Sequence, residues 1–178
     1  MDQLFAPWRI EWVKRDGESD TDGCPFCVLP ERADAADALV VAESEHAFVL
    51  LNNYPYNPGH VMVIPRRHTG EYTALGDREL SDHARLKRRT MNAIKEAFDP
   101  DGLNVGLNLG DASGGSVDDH LHTHIVPRWG GDTNFMAVCS DTKVIVQALE
   151  ESYDRLRAAF AGQPGTERLD SGAIYIDE

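Results

Sequence analysis

Apolar positions recur with a period of two along several short stretches of this chain, and with a helical period along two longer ones. Ala38 to Ala42 and His46 to Leu51 predict two short strands separated by the turn-like Glu43-Ser44-Glu45. Asn52 to Gly59 is rich in turn formers, and His60 to Pro65 follows as an apolar, β-branched strand. Leu103 to Gly110 also alternates, with Leu103, Val105, Leu107 and Leu109 on one face and Asn104, Gly106 and Asn108 on the other. Leu86, Thr90, Ile94 and Phe98 fall four apart and predict a helix over Leu80 to Phe98, ended by Asp99-Pro100-Asp101-Gly102. On it, His83 reads as an exposed residue, and Arg85, Lys87, Arg88 and Arg89 as a solvated basic face. Ser140 is the expected N-cap of a second helix reaching Phe160, with Val144, Ala148, Leu149, Leu156 and Phe160 as its apolar stripe. Strands and helices do not alternate in βαβ order and nothing repeats, so the pattern predicts an α+β fold with an antiparallel sheet and two long helices.

The stretch His120-Leu121-His122-Thr123-His124-Ile125 differs in kind from the other alternating runs. As a strand it sets three imidazoles in one row, about 7 Å between neighbours, and turns Leu121, Thr123 and Ile125 toward a core. Pro127, which has no N–H for a ladder, is expected to stop or edge that strand. Imidazole is a metal ligand, a nucleophile and the side chain that titrates near neutrality. The row therefore reads as a metal site, as a phosphoryl-transfer site in which one ring attacks phosphorus, or as a polar strand facing water.

A second constellation is Cys24-Pro25-Phe26-Cys27, preceded by loop-like sequence. A C-x-x-C is either a redox pair or half of a metal site. Tetrahedral zinc needs two further ligands, and His68 and His120 are candidates. Cys139 is assigned no chemistry. With three cysteines in all, there is no secreted disulfide framework.

The 178 residues make one domain, expected over 1–161 with an N-terminal aromatic arm (Phe5 to Trp12), followed by a loose tail over 162–178. That tail holds a brief Ala173-Ile174-Tyr175-Ile176 that could add a short strand or dock across a dimer. No apolar run approaches the ~20 residues of a membrane span, and Met1 to Ile10 lacks a signal-peptide core. A cytoplasmic protein is expected. The formal net charge of −13 argues against a nucleic-acid surface, while leaving room for a small anion held by local donors. Lysine occurs only at Lys14, Lys87, Lys95 and Lys143, a composition that a salt-rich cytoplasm would favour.

The run HLHTHIV from His120 to Val126, followed by Pro127-Arg128, resembles the histidine triad (HIT) family of nucleotide hydrolases and transferases. Arg128 to Phe135 resembles its diadenosine-polyphosphate phosphorylase and hydrolase branch, and the likeness covers roughly Phe5 to Phe160. The resemblance implies a HIT-like fold, usually a homodimer whose two sheets join. It implies that His122 attacks the α-phosphorus of a dinucleoside polyphosphate or nucleoside phosphoramidate, an adenine nucleotide for preference, through a covalent nucleotidyl-histidine. His124 and His60 would then serve phosphate oxygens and the leaving group. Asn52, from the run Asn52 to His60, would lie near the ribose, and Asn108 and Ser116 at phosphate-contacting positions. The Trp129 to Phe135 loop would lie near the nucleotide or the dimer partner. The sequence departs from the family at Gly115, where glutamine is usual, and by an extra residue within Val117-Asp118-Asp119. Zinc-containing relatives and the galactose-1-phosphate uridylyltransferases imply a structural zinc on Cys24, Cys27, His68 and His120, and no organic cofactor. Two other readings stay open: a metalloenzyme using the three-histidine row, and a nucleotide-binding regulatory module without turnover.

Overall fold

The middle of the sheet is made of strands with almost no polar residue. The computed structural model describes residues 23–113, 117–132 and 149–177. In it β1 (Val40–Glu43), β2 (Ala47–Leu51) and β3 (Val61–Pro65) are buried at every position. Such strands read as apolar runs because both faces of their sheet are covered. On one face lie α2 (Asp77–Phe98) and α3, described over Leu149–Ala161, which pack Leu86, Ile94, Leu156 and Phe160 against Val49, Leu51, Val61, Val63 and Ile125. The opposite face holds Phe48, Leu50, Met62 and Ile64 under Phe26 of the short helix α1 (Pro25–Val28).

The sheet has seven strands in the order β4-β5-β3-β2-β1-β7-β6, completed by β4 (Gly102–Gly106), β5 (Thr123–Arg128), β6 (Thr166–Arg168) and β7 (Ile174–Ile176). All pairings are antiparallel except β1 with β7, so the expected antiparallel sheet carries one parallel seam. The segment set apart as a tail thus adds two strands beyond β1, because Ala173, Ile174 and Ile176 are apolar enough to be buried there. No described helix is long and apolar enough to cross a membrane.

α2 starts three residues earlier than its apolar stripe suggests, at a capping box in which the Glu79 carboxylate accepts the Gly76 N–H. Its buried positions are Asp82, His83, Leu86, Thr90, Ala93, Ile94 and Ala97, so His83 lies on the core stripe and not in solvent. Asp82 ties the β1–β2 turn to this helix, accepting from Ser44 Oγ at 2.8 Å and from the His46 N–H at 2.7 Å. β4 is shorter than the alternating run and mostly exposed: Leu103 alone is half-buried against the core, Val105 is 44% exposed and Leu109, beyond the strand, 51%. Among the described residues β4 is one edge of the sheet.

The loop that delivers His60 turns at Gly59, whose φ is +74° and where an added Cβ would lie 2.5 Å from the Phe98 ring. Gly59→Ala should therefore both strain the backbone and push the loop off α2, destabilising the protein by about 1–3 kcal/mol. Urea unfolding of the variant measures this.

Candidate active site and metal centre

The three histidines of the motif do not form one row. β5 begins only at Thr123, so His120 and His122 lie in the extended segment before it and His124 alone is in the strand. The segment is anchored by the Leu121 N–H on the Thr69 carbonyl at 2.8 Å. His122 and His124 still lie together, with ring centroids 4.9 Å apart, while His120 turns to His68 at 5.0 Å. The cause is His120's second set of partners, the two cysteines described below. Pro127 does not end the strand. It pairs with Leu103 inside β5, beyond the last β3 contact at Ile125, where its missing N–H breaks no bond to β3.

Hydrogen bonds assign the tautomers of the site. The Tyr56 N–H donates to His60 Nδ1 at 3.1 Å, so the proton of a neutral His60 sits on Nε2. His60 Nε2 faces His124 Nδ1 at 3.0 Å and can donate to it, which leaves the His124 proton on Nε2. His122 Nδ1 lies 2.8 Å from the His120 carbonyl, an acceptor only, so His122 carries its proton on Nδ1 and a lone pair on Nε2. One ring thus offers an unprotonated nitrogen and its neighbour an N–H. Phe26 packs on both His120 and His122, at centroid distances of 5.5 and 5.2 Å.

Cys24, Cys27, His68 and His120 place one ligand atom each within 4.8 Å of one another. A tetrahedral zinc with ordinary Zn–S and Zn–N bonds separates sulfur from nitrogen by about 3.6 Å. The sulfur–nitrogen distances here are 3.4 Å for Cys24–His120, 3.2 Å for Cys27–His68 and 3.7 Å for Cys27–His120. Both rings present Nδ1 to the sulfurs. His120 Nε2 donates to the Pro65 carbonyl at 2.8 Å, and His68 Nε2 faces the Asp119 carboxylate at 3.3 Å. Each imidazole is thereby held in the tautomer a metal ligand requires. Burial lowers the His120 pKa and keeps its ring neutral. Burial, then the neighbouring Cys24 thiol, raises that of Cys27, which a bound cation would reverse. Among the described residues this is the one such cluster, and His122 and His124 are outside it. That counts against a catalytic metal on the whole row.

The remaining expected residues are placed unevenly. Asn52 is buried, its Oδ1 accepting the Tyr54 N–H at 2.9 Å, so its side chain builds the loop and does not point outward. Asn108 is exposed, two residues past the end of β4 at Gly106, the partner of His124. Ser116 with Gly115, the aromatic arm, the loop from Thr133 to Phe135, Cys139 and the Ser140 cap lie outside the described residues.

A carboxylate clamp behind the site has no local signal in the sequence. Asp132 accepts from Arg128 at 2.5 and 2.8 Å, from Asn57 Nδ2 at 2.9 Å and from the Trp129 N–H at 3.2 Å. Asn57 also donates to the Pro127 carbonyl at 2.8 Å, locking the His60 loop to β5. The Arg128 hydrogen bonds first, then Trp129 and Asn57, pull the Asp132 pKa down to about 2. Asp132→Asn should cost about 1–3 kcal/mol at pH 7. A depressed carboxylate stabilises above its unfolded pKa of about 3.9. The gap between wild type and variant should therefore be full above about pH 4 and close as pH falls toward about 2. Urea midpoints across that range are the check.

An α+β fold thus carries His122, with an unprotonated nitrogen, beside His124, with an N–H, and a Cys/His cluster close by. The chain belongs to the HIT family: the HIT domain model matches residues 33–131. It is 41% identical over 170 residues to the AP-4-A phosphorylase of Mycobacterium tuberculosis, covering 92% of this chain and 87% of that one. A Zn-bound histidine triad protein from Mycobacterium smegmatis superposes with a TM-score of 0.60 at 29% identity over 78% of this chain and 94% of its own. A hypothetical histidine triad nucleotide-binding protein from Sulfolobus tokodaii gives 0.62 at 28% identity, over 78% and 92%.

Proposed function

We propose that the chain is a nucleotidyl-transferring enzyme that cleaves dinucleoside polyphosphates at the α-phosphorus, with inorganic phosphate as the favoured acceptor. The observation that carries this is the hydrogen bond from His122 Nδ1 to the His120 carbonyl, which leaves the Nε2 lone pair for attack. Nε2 forms a bond to phosphorus as the bond to the leaving polyphosphate oxygen breaks, and that oxygen takes the Nε2 proton of His124. Tyr56 and His60, behind His124, hold the donor tautomer. An incoming phosphate or water, its proton passing to His124 Nε2, then bonds to phosphorus as the phosphorus–nitrogen bond breaks, which frees His122 and restores His124. Support for the substrate class comes from the Mycobacterium tuberculosis relative, whose name is that of a phosphorylase for AP-4-A. Asn108 and Ser116 would contact phosphate oxygens, a task given to both by the family pattern.

The Mycobacterium smegmatis neighbour is itself Zn-bound; here Cys24, Cys27, His68 and His120 would hold a structural zinc. Its contribution is to fix α1 and the His120 segment; it activates no water, because four protein ligands leave no open position. Cysteines that must stay reduced to bind metal fit a cytoplasmic setting. The β4 edge, with Val105 exposed, is the surface on which two copies would join their sheets.

Incubation with diadenosine tetraphosphate, with and without phosphate, tests the function. A phosphorylase gives ATP and ADP, the ADP carrying the added phosphate; a hydrolase gives ATP and AMP. Recovery of intact substrate in both arms would defeat the reading and leave a binding module.

A further inference from the structure

We propose that His83 is a positioning residue for the nucleophile, acting through Thr123 from the opposite face of the sheet; this rests on the reading of His122 above. His83 projects from α2 into the core, 2% exposed, and its Nε2 lies 3.3 Å from the Val63 carbonyl and 3.1 Å from Thr123 Oγ1. Val63 and Thr123 are paired residues of β3 and β5, and theirs is the last pair of that ladder. Thr123, fully buried, is both the first residue of β5 and the residue after His122. The imidazole therefore grips the two strands at the point where the chain leaves the sheet to present its nucleophile.

On the far side the segment is held by the Leu121 N–H on Thr69. His122 hangs between these two anchors, and the distance from its Nδ1 to the His120 carbonyl depends on both. Packing alone does not explain the residue. His83 Nδ1 is buried with no hydrogen-bond partner among the described residues, a liability that a leucine on the same stripe would avoid. An imidazole kept in an apolar layer despite an unused nitrogen is retained for what its other nitrogen holds. Burial, and next the Lys87 charge, keep the ring neutral, so Nε2–H is available as the donor.

The test is steady-state and single-turnover kinetics of the full chain on diadenosine tetraphosphate, with thermal melts alongside. A displacement of about 1 Å at a reacting group can cost up to about a hundredfold, so His83→Leu should lower kcat and adduct formation by ten- to a hundredfold. KM should stay within about twofold, since no substrate contact is lost. His83→Gln, whose Nε2 also donates from that position, should recover kcat to within about threefold of wild type. Thr123→Val, equal in shape, should reproduce the leucine defect without lowering the melting temperature below that of His83→Leu. Wild-type kcat in His83→Leu, a change confined to KM, or a glutamine variant as slow as the leucine one would each overturn the proposal. If His83→Leu does not fold, Thr123→Val decides: a slowed adduct step supports the proposal, and an unchanged one ends it. His122→Ala separates the two levels. A variant that still turns over removes the nucleophile assignment; an inert one, alongside full-rate His83 and Thr123 variants, removes only this inference.

Discussion

Replacing His122 by alanine should abolish turnover of diadenosine tetraphosphate, with kcat/KM lower by about 10⁴-fold or more. The reason is that no other described ring is prepared for the same task. His124 Nδ1 faces His60, His60 Nδ1 accepts from the Tyr56 N–H, and His120 is turned to the cysteines. The loss should come without unfolding, because truncation leaves the Phe26 and His124 rings and the His120 carbonyl in place. Rapid quenching with labelled substrate checks it: label should remain on the wild-type chain and be missing from the variant. His124→Asn makes the useful contrast. The nucleophile survives there, so adduct should still form, slowed by about 10²- to 10⁴-fold for want of a proton for the leaving oxygen. Labelled adduct on the His122→Ala chain would end the assignment.

Stripping the metal should have the largest effect on stability. The purified protein should carry one zinc per chain, lost in Cys24→Ser and Cys27→Ser. A site that binds at free zinc a thousandfold above its Kd stabilises by about 4 kcal/mol. In a domain of this size that is on the order of 10 °C in Tm. Thermal melts with and without a strong chelator measure the shift. The same treatment should slow turnover, because His120 serves both centres: its ring meets the cysteines and its carbonyl holds His122. A chain that melts at the same temperature with and without zinc would show the cluster to be only a pair of thiols near two imidazoles.

Much of the sheet was legible from local pattern. β1, β2, β3 and α2 declare themselves because their burial follows from runs and periods within one element. What failed locally failed for long-range reasons. The strand expected at His120 begins at Thr123 because Cys24 and Cys27, nearly a hundred positions earlier in the chain, draw His120 aside. His83 sits on the stripe shared by Leu86, Thr90 and Ile94, and the helical period, not the polarity of the ring, decides its burial. Arg128, Asp132 and Asn57 are ordinary loop residues until β5 brings the two loops together. The seam between β1 and β7 escapes notice because three residues are too few for a period to show.

That seam bears on how the chain is made. β1 is synthesised early, yet its partner on one side is β7, more than a hundred residues later in the chain. Until β7 leaves the ribosome, β1 offers an uncovered apolar border in the nascent chain, and non-local pairing of this kind is slow to form. Emergence of β7, more than that of the histidine motif, is then the event that completes the sheet.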